Sequence, residues 1–238
     1  MRRAVKGMRE FWDARARENA AWYVDTSLTY DHPDMERFFE TGKQIVADAL
    51  DDAPVQPEHL GLAIELGSGL GRVCLALAER FDTVVGVDIS DEMIERAREL
   101  AGRPEISFLV GDGVSFAGID DAAADLVLTF TVFQHIPRVA VIERYVQDAA
   151  RVLRPGGVLV MQWNNTPGAW RWRIRRWWLG LLQHTRVRPE QYLRHAPQFL
   201  GSRVPLRRVQ RMLARAGLQL RGIRNPGTLY AWAWAVKR

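Results

Sequence analysis

Three short segments of the sequence carry residues that could bind a polar ligand, and each follows a run of apolar residues. The first is a loop with glycines at Gly67, Gly69 and Gly71, the second ends in Asp88, and the third ends in Asp112. Glycine permits a tight turn and lets a ligand lie against the backbone, and a carboxylate accepts hydrogen bonds from hydroxyl and amino groups. The order of these residues therefore predicts one binding site assembled from three segments.

The residues of this site favour adenosine over a dinucleotide. The dinucleotide fingerprint G-x-G-x-x-G/A needs a small residue where this chain has Arg72. Asp88 can accept two hydrogen bonds from a ribose diol, and Asp112 can accept one from the exocyclic amine of adenine. Taken singly, the alternatives are a solvated surface acid at Asp88 and a turn-capping acid at Asp112.

The chain between and around these residues predicts strands that alternate with helices. Short apolar runs bounded by turn residues are typical of buried strands, and they lie at Leu62–Leu66, Thr83–Val87, Ile106–Val110, Asp125–Phe130 and Val158–Trp163. Helical spacing of apolar residues predicts helices at 7–22, 34–50, 70–80 and 138–153, and one that Ser90 caps. Such alternation indicates a parallel sheet that binds ligands at the carboxyl ends of its strands.

The C-terminal part of the chain predicts one more helix and a pair of strands. The helix covers Leu206–Gly217, and the strands cover Leu218–Ile223 and residues 230–236. Asn225-Pro226-Gly227 supplies the turn between the two strands.

These motifs together resemble those of class I S-adenosylmethionine-dependent methyltransferases. The resemblance rests on the glycine loop, the acid after the second strand, the Gly111-Asp112 pair after the third, and Leu153-Arg154-Pro155-Gly156-Gly157 before the fifth. It covers residues 35–163 and, more weakly, 204–238. The stretch Phe133–Pro137 is similar to the small-molecule branch of the family.

The resemblance implies an α/β fold with a doubly wound, seven-stranded, mostly parallel sheet and an antiparallel C-terminal strand. It implies a single methyltransferase domain over residues 1–238, with an N-terminal helical cap at 1–33. A helical insertion rich in Trp and Arg would follow strand five, at 164–203. The implied cofactor is S-adenosyl-L-methionine.

The cofactor-binding positions of the family carry over to twelve residues of this sequence. The methionine and ribose would be lined by Gly67, Ser68, Gly69 and Gly71, and Glu65 would orient the loop or reach the amino group through water. Asp88 would hold the ribose hydroxyls, and the adenine would meet Ile89, Met93, Asp112 and Gly113. The methionine end would contact the backbone of Thr129 and Phe130. The alternative role for Met93 is that of a helix core residue.

The implied reaction displaces a methyl group from a sulfonium, so alignment and the exclusion of water supply most of the rate. An oxygen acceptor also needs a base. His135, after strand four, is the first candidate for that base, and His195 is a weaker second. The alternative for His135 is a residue that fixes the Phe133–Pro137 loop by hydrogen bonding. We expect methylation at oxygen rather than nitrogen.

Aromatic residues outside the predicted sheet are the candidates for acceptor binding. Trp12 and Tyr23 either close over the cofactor or pack on the outer helices. In the insertion, Trp170, Trp177 and Trp178 share one helical stripe, with arginines off it. The stripe is consistent with a packed lid, with a substrate pocket or, through 170–182, with contact to an anionic membrane surface. The expected substrate is a small or lipid-linked molecule.

Charge is distributed unevenly along the chain, whose 33 basic and 28 acidic residues give a net charge of +5. Residues 163–215 hold 12 arginines and a single acid, Glu190. The Arg-rich 171–215 segment leaves an RNA methyltransferase as an alternative. Nucleobase amino methyltransferases carry [D/N/S]-P-P-[Y/F/W] where this chain has Thr129–Val132, which disfavours nucleic acid as the partner.

A regulatory scaffold that binds the cofactor without turnover is the other alternative to a small-molecule methyltransferase. The sequence leaves the oligomeric state open.

Several classes of protein are excluded by composition. The single cysteine, Cys74, excludes an intramolecular disulfide framework and a multi-cysteine zinc site, and no metal site is predicted. No apolar run reaches the roughly 18 to 20 residues that a membrane-spanning helix needs. The basic start of the chain lacks the apolar stretch of a signal peptide. We therefore expect a cytoplasmic protein, with peripheral contact at the inner membrane face as the variant that the Trp/Arg stripe suggests.

Overall fold

The computed structural model describes residues 2–167 and 201–238, with side chains from residue 5 onward. The helices are α1 (Arg2–Val24), α2 (Met35–Leu50), α3 (Arg72–Leu77), α4 (Asp91–Ala101), α5 (Val139–Val152) and α6 (Leu206–Arg215). The strands are β1 (Leu62–Leu66), β2 (Thr83–Asp88), β3 (Ile106–Val110), β4 (Ala124–Thr129), β5 (Leu153–Trp163), β6 (Leu218–Arg224) and β7 (Ala231–Lys237).

The strands form one seven-stranded sheet in the order β3-β2-β1-β4-β5-β7-β6. Strands β1 to β5 pair in parallel, whereas β7 pairs antiparallel with both β5 and β6. The direction of winding reverses between β1 and β4, and in doubly wound sheets this reversal opens a crevice at the carboxyl ends of the strands. The fold predicted from the sequence is confirmed.

Both faces of the sheet are covered by apolar helix faces. One cluster joins α5 and α6 to the sheet, and a second cluster joins α2, α3 and α4 to its other face. In α5 the buried residues recur at helical spacing, as Val141, Ile142, Tyr145, Val146 and Ala149. Each large apolar side chain buried in this way contributes about 1.5–3 kcal/mol of transfer free energy.

Three predicted elements differ from the structure by more than two residues at an end. Helix α1 begins at Arg2 rather than at residue 7. Helix α3 covers 72–77 rather than 70–80, because its N-cap Gly71 has a left-handed φ of 82° and the chain leaves the helix after Ala78. Strand β5 begins at Leu153 rather than Val158, because Leu153 already pairs with Ala124 of β4. The cap predicted at Ser90 is present, since the Ser90 side chain accepts from the Met93 N–H.

Helix α1 lies across the ends of β2 and β3 and against the start of α4. Arg9 donates to Asp91 Oδ2 at 2.6 Å and to the Gly111 carbonyl at 2.8 Å. Ser90 Oγ donates to Asp13 Oδ1 at 2.7 Å. The helix kinks at Asn19, which has non-helical φ and ψ and accepts a hydrogen bond from the Trp22 N–H. Helix α1 thereby covers the edge of the sheet where ligands are expected.

Within residues 2–167 and 201–238, no helix is long and apolar enough to cross a membrane. The same two ranges contain no group of three or more His, Cys, Asp or Glu side chains arranged to hold a metal ion.

Candidate active site

A pocket of about 400 Å³ opens where β1, β2 and β4 end. This volume lies in the range of small-molecule sites, about 300–1,000 Å³. The pocket is lined by the glycine loop, by the residues after β2 and β4, by α1 and by α2. It therefore lies at the point where the winding of the sheet reverses.

The glycine loop forms the floor of the pocket through Gly67 and Gly69. Both residues have positive φ, 77° and 51°. A Cβ at Gly67 would collide with the Val132 side chain, and one at Gly69 would lie 2.8 Å from Val24 Cγ2. These positions therefore require glycine for conformation and for space, and they leave backbone open to a ligand.

Asp88 ends β2 and lines the pocket beside the loop. Its carboxylate accepts from the Gly69 N–H and from the Ser90 N–H, each at 2.9 Å. Burial raises the pKa of Asp88, against the lowering effect of these backbone donors. The remaining lone pairs of the carboxylate suit a pair of hydroxyl donors such as a ribose diol.

Two apolar side chains that the sequence assigns to adenine, Ile89 and Met93, line the same pocket. Met93 is also buried among α1 and α2 side chains, so its core role and its pocket role coexist. Asp112 and Gly113 are not among the lining residues. The Asp112 carboxylate accepts from the Val114 and Ser115 N–H groups at 2.8 and 2.7 Å, and a Cβ at Gly113 would lie 2.6 Å from Val5 of α1.

The turn-capping alternative for Asp112 therefore matches its geometry, and its contact with adenine stays a prediction.

Four more of the sequence-predicted residues lie outside the pocket lining, namely Glu65, Ser68, Gly71 and Thr129. Gly71 instead starts α3, and a Cβ there would lie 2.7 Å from the Phe108 ring.

Glu65 lies buried beneath the loop and accepts a hydrogen bond from the Cys74 thiol at 2.9 Å. Burial raises the pKa of Glu65 to about 8, so its carboxyl group is largely protonated at neutral pH. Burial and the nearby Glu65 carboxyl raise the pKa of Cys74. Cys74 is thus an unreactive thiol in the core.

The segment after β4 brings His135 into the pocket. Phe130 and His135 both line it, and a turn closed by the His135 N–H and the Val132 carbonyl at 2.9 Å carries the imidazole there. Trp12 of α1 packs edge-to-face on His135, with ring centroids 5.4 Å apart. Trp12 and Tyr23 both line the pocket, so α1 contributes the aromatic residues that the sequence singled out.

Sequence reasoning missed a buried ion pair in the pocket wall. Arg72 donates to Asp25 Oδ2 at 2.5 Å and to Thr41 Oγ1 at 2.6 Å, and its guanidinium lies over the Phe38 ring. Burial opposes ionisation of Asp25, but hydrogen bonds from Ser27 and the charge of Arg72 lower the pKa of Asp25. One feature of the sequence could have indicated this ion pair. Arg72 stands where the dinucleotide fingerprint has a small residue, so its side chain needed another role.

The remaining candidates, Trp170, Trp177, Trp178 and His195, lie outside the described residues.

The described residues just before 168 and just after 200 lie close together beside the pocket. The Val204 N–H donates to the Asn164 carbonyl at 3.0 Å, and the Ser202 N–H donates to the Ile136 carbonyl at 2.9 Å. Both flanks therefore lie next to the turn that carries His135.

The pocket residues fit S-adenosylmethionine. The glycine floor accommodates a ligand in contact with the backbone, Asp88 offers acceptors for a ribose, and Ile89 with Met93 offers an apolar surface for a purine. The fold and this site together resemble those of class I, S-adenosylmethionine-dependent methyltransferases.

Comparison with known proteins agrees with this class. Residues 64–161 match the family described as "Methyltransferase domain". This match covers the segment that holds the glycine loop, Asp88 and Asp112, and it agrees with the resemblance stated from the sequence.

The individual relatives share only about a third of their residues with this chain over the aligned segments. The chain is 29% identical over 160 residues to a trans-aconitate 2-methyltransferase of Azoarcus sp. (strain BH72), which covers 61% of this chain and 60% of that protein. It is 35% identical over 123 residues to an uncharacterized 37.1 kDa protein in transposon TN4556 of Streptomyces fradiae, over 50% of this chain and 33% of that protein. The chain thus spans about a third to three fifths of the length of these relatives.

A solved structure with the same fold is magnesium protoporphyrin IX methyltransferase from Synechocystis PCC 6803 with bound SAH, the demethylated cofactor. The TM-score is 0.56 with 19% identity, over 84% of this chain and 83% of that one.

Proposed function

We propose that this protein transfers the methyl group of S-adenosylmethionine to an oxygen of a small-molecule or lipid-linked acceptor, and that His135 accepts the proton of that oxygen. The observation that carries the proposal is the position of His135 in one pocket with Gly69 and Asp88. A base and a cofactor cradle that share a pocket have the proximity that proton removal during transfer requires.

The proposal assigns two parts of the pocket to two ligands. Gly67, Gly69 and Asp88 would hold the methionine and ribose of the cofactor, with Ile89 beside the adenine. When bound, the cofactor supplies a methyl group that is activated by a positively charged sulfur. The part that remains for an acceptor is bounded by the aromatic residues on α1 and after β4.

The acceptor side of the pocket is aromatic. Trp12 and Phe130 line it, and Phe130 stacks on Tyr230, which is 47% exposed at the rim. Stacked rings offer an apolar surface to an acceptor and keep water from the reacting oxygen. A small or lipid-linked molecule with a planar or apolar body suits such walls. The Azoarcus relative is itself named for a small acceptor, trans-aconitate.

Oxygen is favoured over nitrogen because the site places an imidazole at the end of β4. A hydroxyl acceptor must lose its proton, and imidazole is the side chain whose ordinary pKa lies nearest neutrality. A neutral amine can attack without prior deprotonation, so an amine acceptor gains less from His135. The role of His135 is to accept the hydroxyl proton on a ring nitrogen while the aromatic walls hold the acceptor in place.

Methyl-labelled S-adenosylmethionine and fractionated cell extract test the proposal. The label is expected in a small-molecule or lipid fraction as an alkali-stable ether; an alkali-labile ester would mean a carboxylate acceptor, which needs no base, and would contradict the role of His135. His135→Ala should lower transfer at least tenfold while the cofactor dissociation constant changes less than twofold. His59→Ala is the matched control, since His59 is exposed at the opposite end of the sheet. Label in RNA or protein, or full transfer by His135→Ala, would contradict the proposal.

A further inference from the structure

A buried phenol borders the pocket and has no role in the proposed transfer. Tyr145 of α5 is only 5% exposed, and it lines the pocket. Within the described residues its hydroxyl has no hydrogen-bond partner, although a buried hydroxyl ordinarily has one. The side-chain oxygens that are both unpartnered and sealed from solvent in that part of the chain are Ser68 Oγ and Thr129 Oγ1. The Tyr145 hydroxyl is therefore accessible from the pocket.

Tyr145 lies on the side of the pocket where β2 and β3 end. Its ring packs edge-to-face on Phe116, with ring centroids 5.8 Å apart, and both belong to one core cluster with Val87 of β2. Phe116 directly follows the turn that Asp112 caps after β3. Side chains on a helix point back toward its N-terminus, and α5 follows the carboxyl end of β4. The hydroxyl is thus directed toward the strand ends, at the place that the sequence assigns to adenine.

The surroundings of Tyr145 keep the proton on its hydroxyl. Burial raises the pKa of the phenol, and the nearby carboxylates of Asp112 and Asp88 raise it further. Asp148 acts in the same direction, whereas the positive charge of Arg9 has a smaller, opposite effect. At neutral pH the group is consequently an O–H donor.

The adenine side of the pocket has few other donors for a ligand. Met8, Ile89 and Met93 line it with apolar surface. After β3, the N–H groups of Val114 and Ser115 already donate to the Asp112 carboxylate. The ring nitrogens of adenine accept hydrogen bonds from water, and a base that is buried without a donor loses those bonds at a cost. The Tyr145 hydroxyl supplies such a donor.

We propose that the Tyr145 hydroxyl donates a hydrogen bond to a ring nitrogen of the cofactor's adenine. The inference rests on the proposed function for the identity of the cofactor, and it requires nothing of the acceptor or of His135. It adds a residue in the middle of α5 to a cofactor site that the sequence motifs place at strand ends.

The affinity for S-adenosylhomocysteine tests this contact without any methyl transfer. Tyr145→Phe removes only the hydroxyl, so the dissociation constant from isothermal titration calorimetry should rise about three- to tenfold, as the loss of one neutral hydrogen bond predicts. Tyr30→Phe is the matched control and should bind as the wild type does, because the Tyr30 hydroxyl donates to Glu18 and Tyr30 does not line the pocket. Wild-type affinity in Tyr145→Phe would overturn the proposal.

Analogues of S-adenosylhomocysteine identify the atom that the phenol contacts. In the 1-deaza, 3-deaza and 7-deaza analogues, a C–H group replaces one ring nitrogen. For one of the three, the wild type should lose about three- to tenfold in affinity while Tyr145→Phe loses less than about twofold, because the variant already lacks the hydrogen bond. Equal losses in both proteins for every deaza analogue would overturn the proposal. Coupling to a 2′- or 3′-deoxyribose analogue instead would also overturn it, because the phenol would then contact the ribose.

The thermal stability of the ligand-free protein separates a binding role from a structural one. Tyr145→Phe removes a hydroxyl that lacks a partner among the described residues, so the variant should melt at or above the wild-type temperature. Tyr23→Phe is the comparison and should melt lower, because the Tyr23 hydroxyl accepts from Arg15 and donates to Glu18. A melting temperature of Tyr145→Phe as low as that of Tyr23→Phe would overturn the proposal.

The outcomes also distinguish this inference from the proposed function. Equal binding of S-adenosylhomocysteine by the wild type and Tyr145→Phe overturns the inference and leaves the proposed function in place. Methyl transfer to RNA or protein, with the expected coupling between Tyr145 and one deaza analogue, overturns the proposed function alone. A wild type that binds no S-adenosylhomocysteine overturns both.

Discussion

The guanidinium of Arg72 and the carboxylate of Asp25 form an ion pair 2.5 Å long in the wall of the pocket, with side chains only 7% and 13% exposed. Arg72 begins α3 directly after the glycine loop, and Asp25 follows α1. Nη2 of Arg72 also donates to the Val24 carbonyl at 3.3 Å. The pair therefore fastens the end of α1 to the loop that forms the floor of the pocket.

Removal of one partner of this pair should destabilise the protein strongly. Arg72→Met leaves the Asp25 carboxylate buried without its countercharge, and such a loss costs about 3–5 kcal/mol. Urea denaturation should show this fall in the free energy of unfolding, with a smaller fall in the double variant Arg72→Met, Asp25→Leu. Arg103→Met is the control, because the exposed pair Arg103–Glu105 contributes about 1 kcal/mol or less. Equal effects of the single and the double variant would contradict this account.

Replacement of Asp88 should weaken cofactor binding. Asp88→Ala removes the acceptor that we assign to the ribose, and the loss of charged-acceptor hydrogen bonds costs about 1.5–3 kcal/mol. Isothermal titration calorimetry with S-adenosylhomocysteine measures this directly. Asp82→Ala serves as the comparison, since Asp82 is an exposed acid at the other end of β2. Unchanged affinity in Asp88→Ala would remove Asp88 from the ribose site.

Asp112 should behave differently from Asp88. Its carboxylate accepts from two backbone N–H groups and from Ser115 Oγ, so Asp112→Ala should cost about 1 kcal/mol of stability, as the loss of a cap does. The cofactor affinity should fall less than in Asp88→Ala. A calorimetric loss as large as that of Asp88→Ala, with unchanged thermal stability, would favour the adenine contact instead.

The buried Glu65 should make stability depend on pH. Its pKa in the folded protein is about 8, above its ordinary value of 4.5. The folded state therefore holds a proton that the unfolded state releases, and stability falls as pH rises from 4.5 through 8.

Glu65→Gln keeps the shape of the side chain and removes the titration. The melting temperature of the variant, measured relative to the wild type, should rise between pH 5 and pH 8.5. Glu58→Gln is the control, because Glu58 is exposed near the start of β1. A constant difference between Glu65→Gln and wild type over this range would contradict the raised pKa.

Local features of the sequence were sufficient to predict most of the sheet. The strands at 62–66 and 106–110 have the predicted bounds, because a short apolar run between turn residues is a local signal of a buried strand. The cap at Ser90 was predictable for the same reason, since it involves only residues three apart. The start of β5 at Leu153 was not, because it depends on pairing with Ala124.

The sequence by itself predicted the class of the protein and the place of its site, because the glycine loop and Asp88 are marked by local turn and strand patterns at neighbouring strand ends. Only the tertiary structure decided the partners of the polar side chains. Asp25 meets Arg72, Gln162 meets the Leu229 carbonyl, and Trp12 meets His135 across 47, 67 and more than a hundred residues of chain. Periodicity and capping depend on residues a few positions apart, whereas these contacts depend on how distant elements pack.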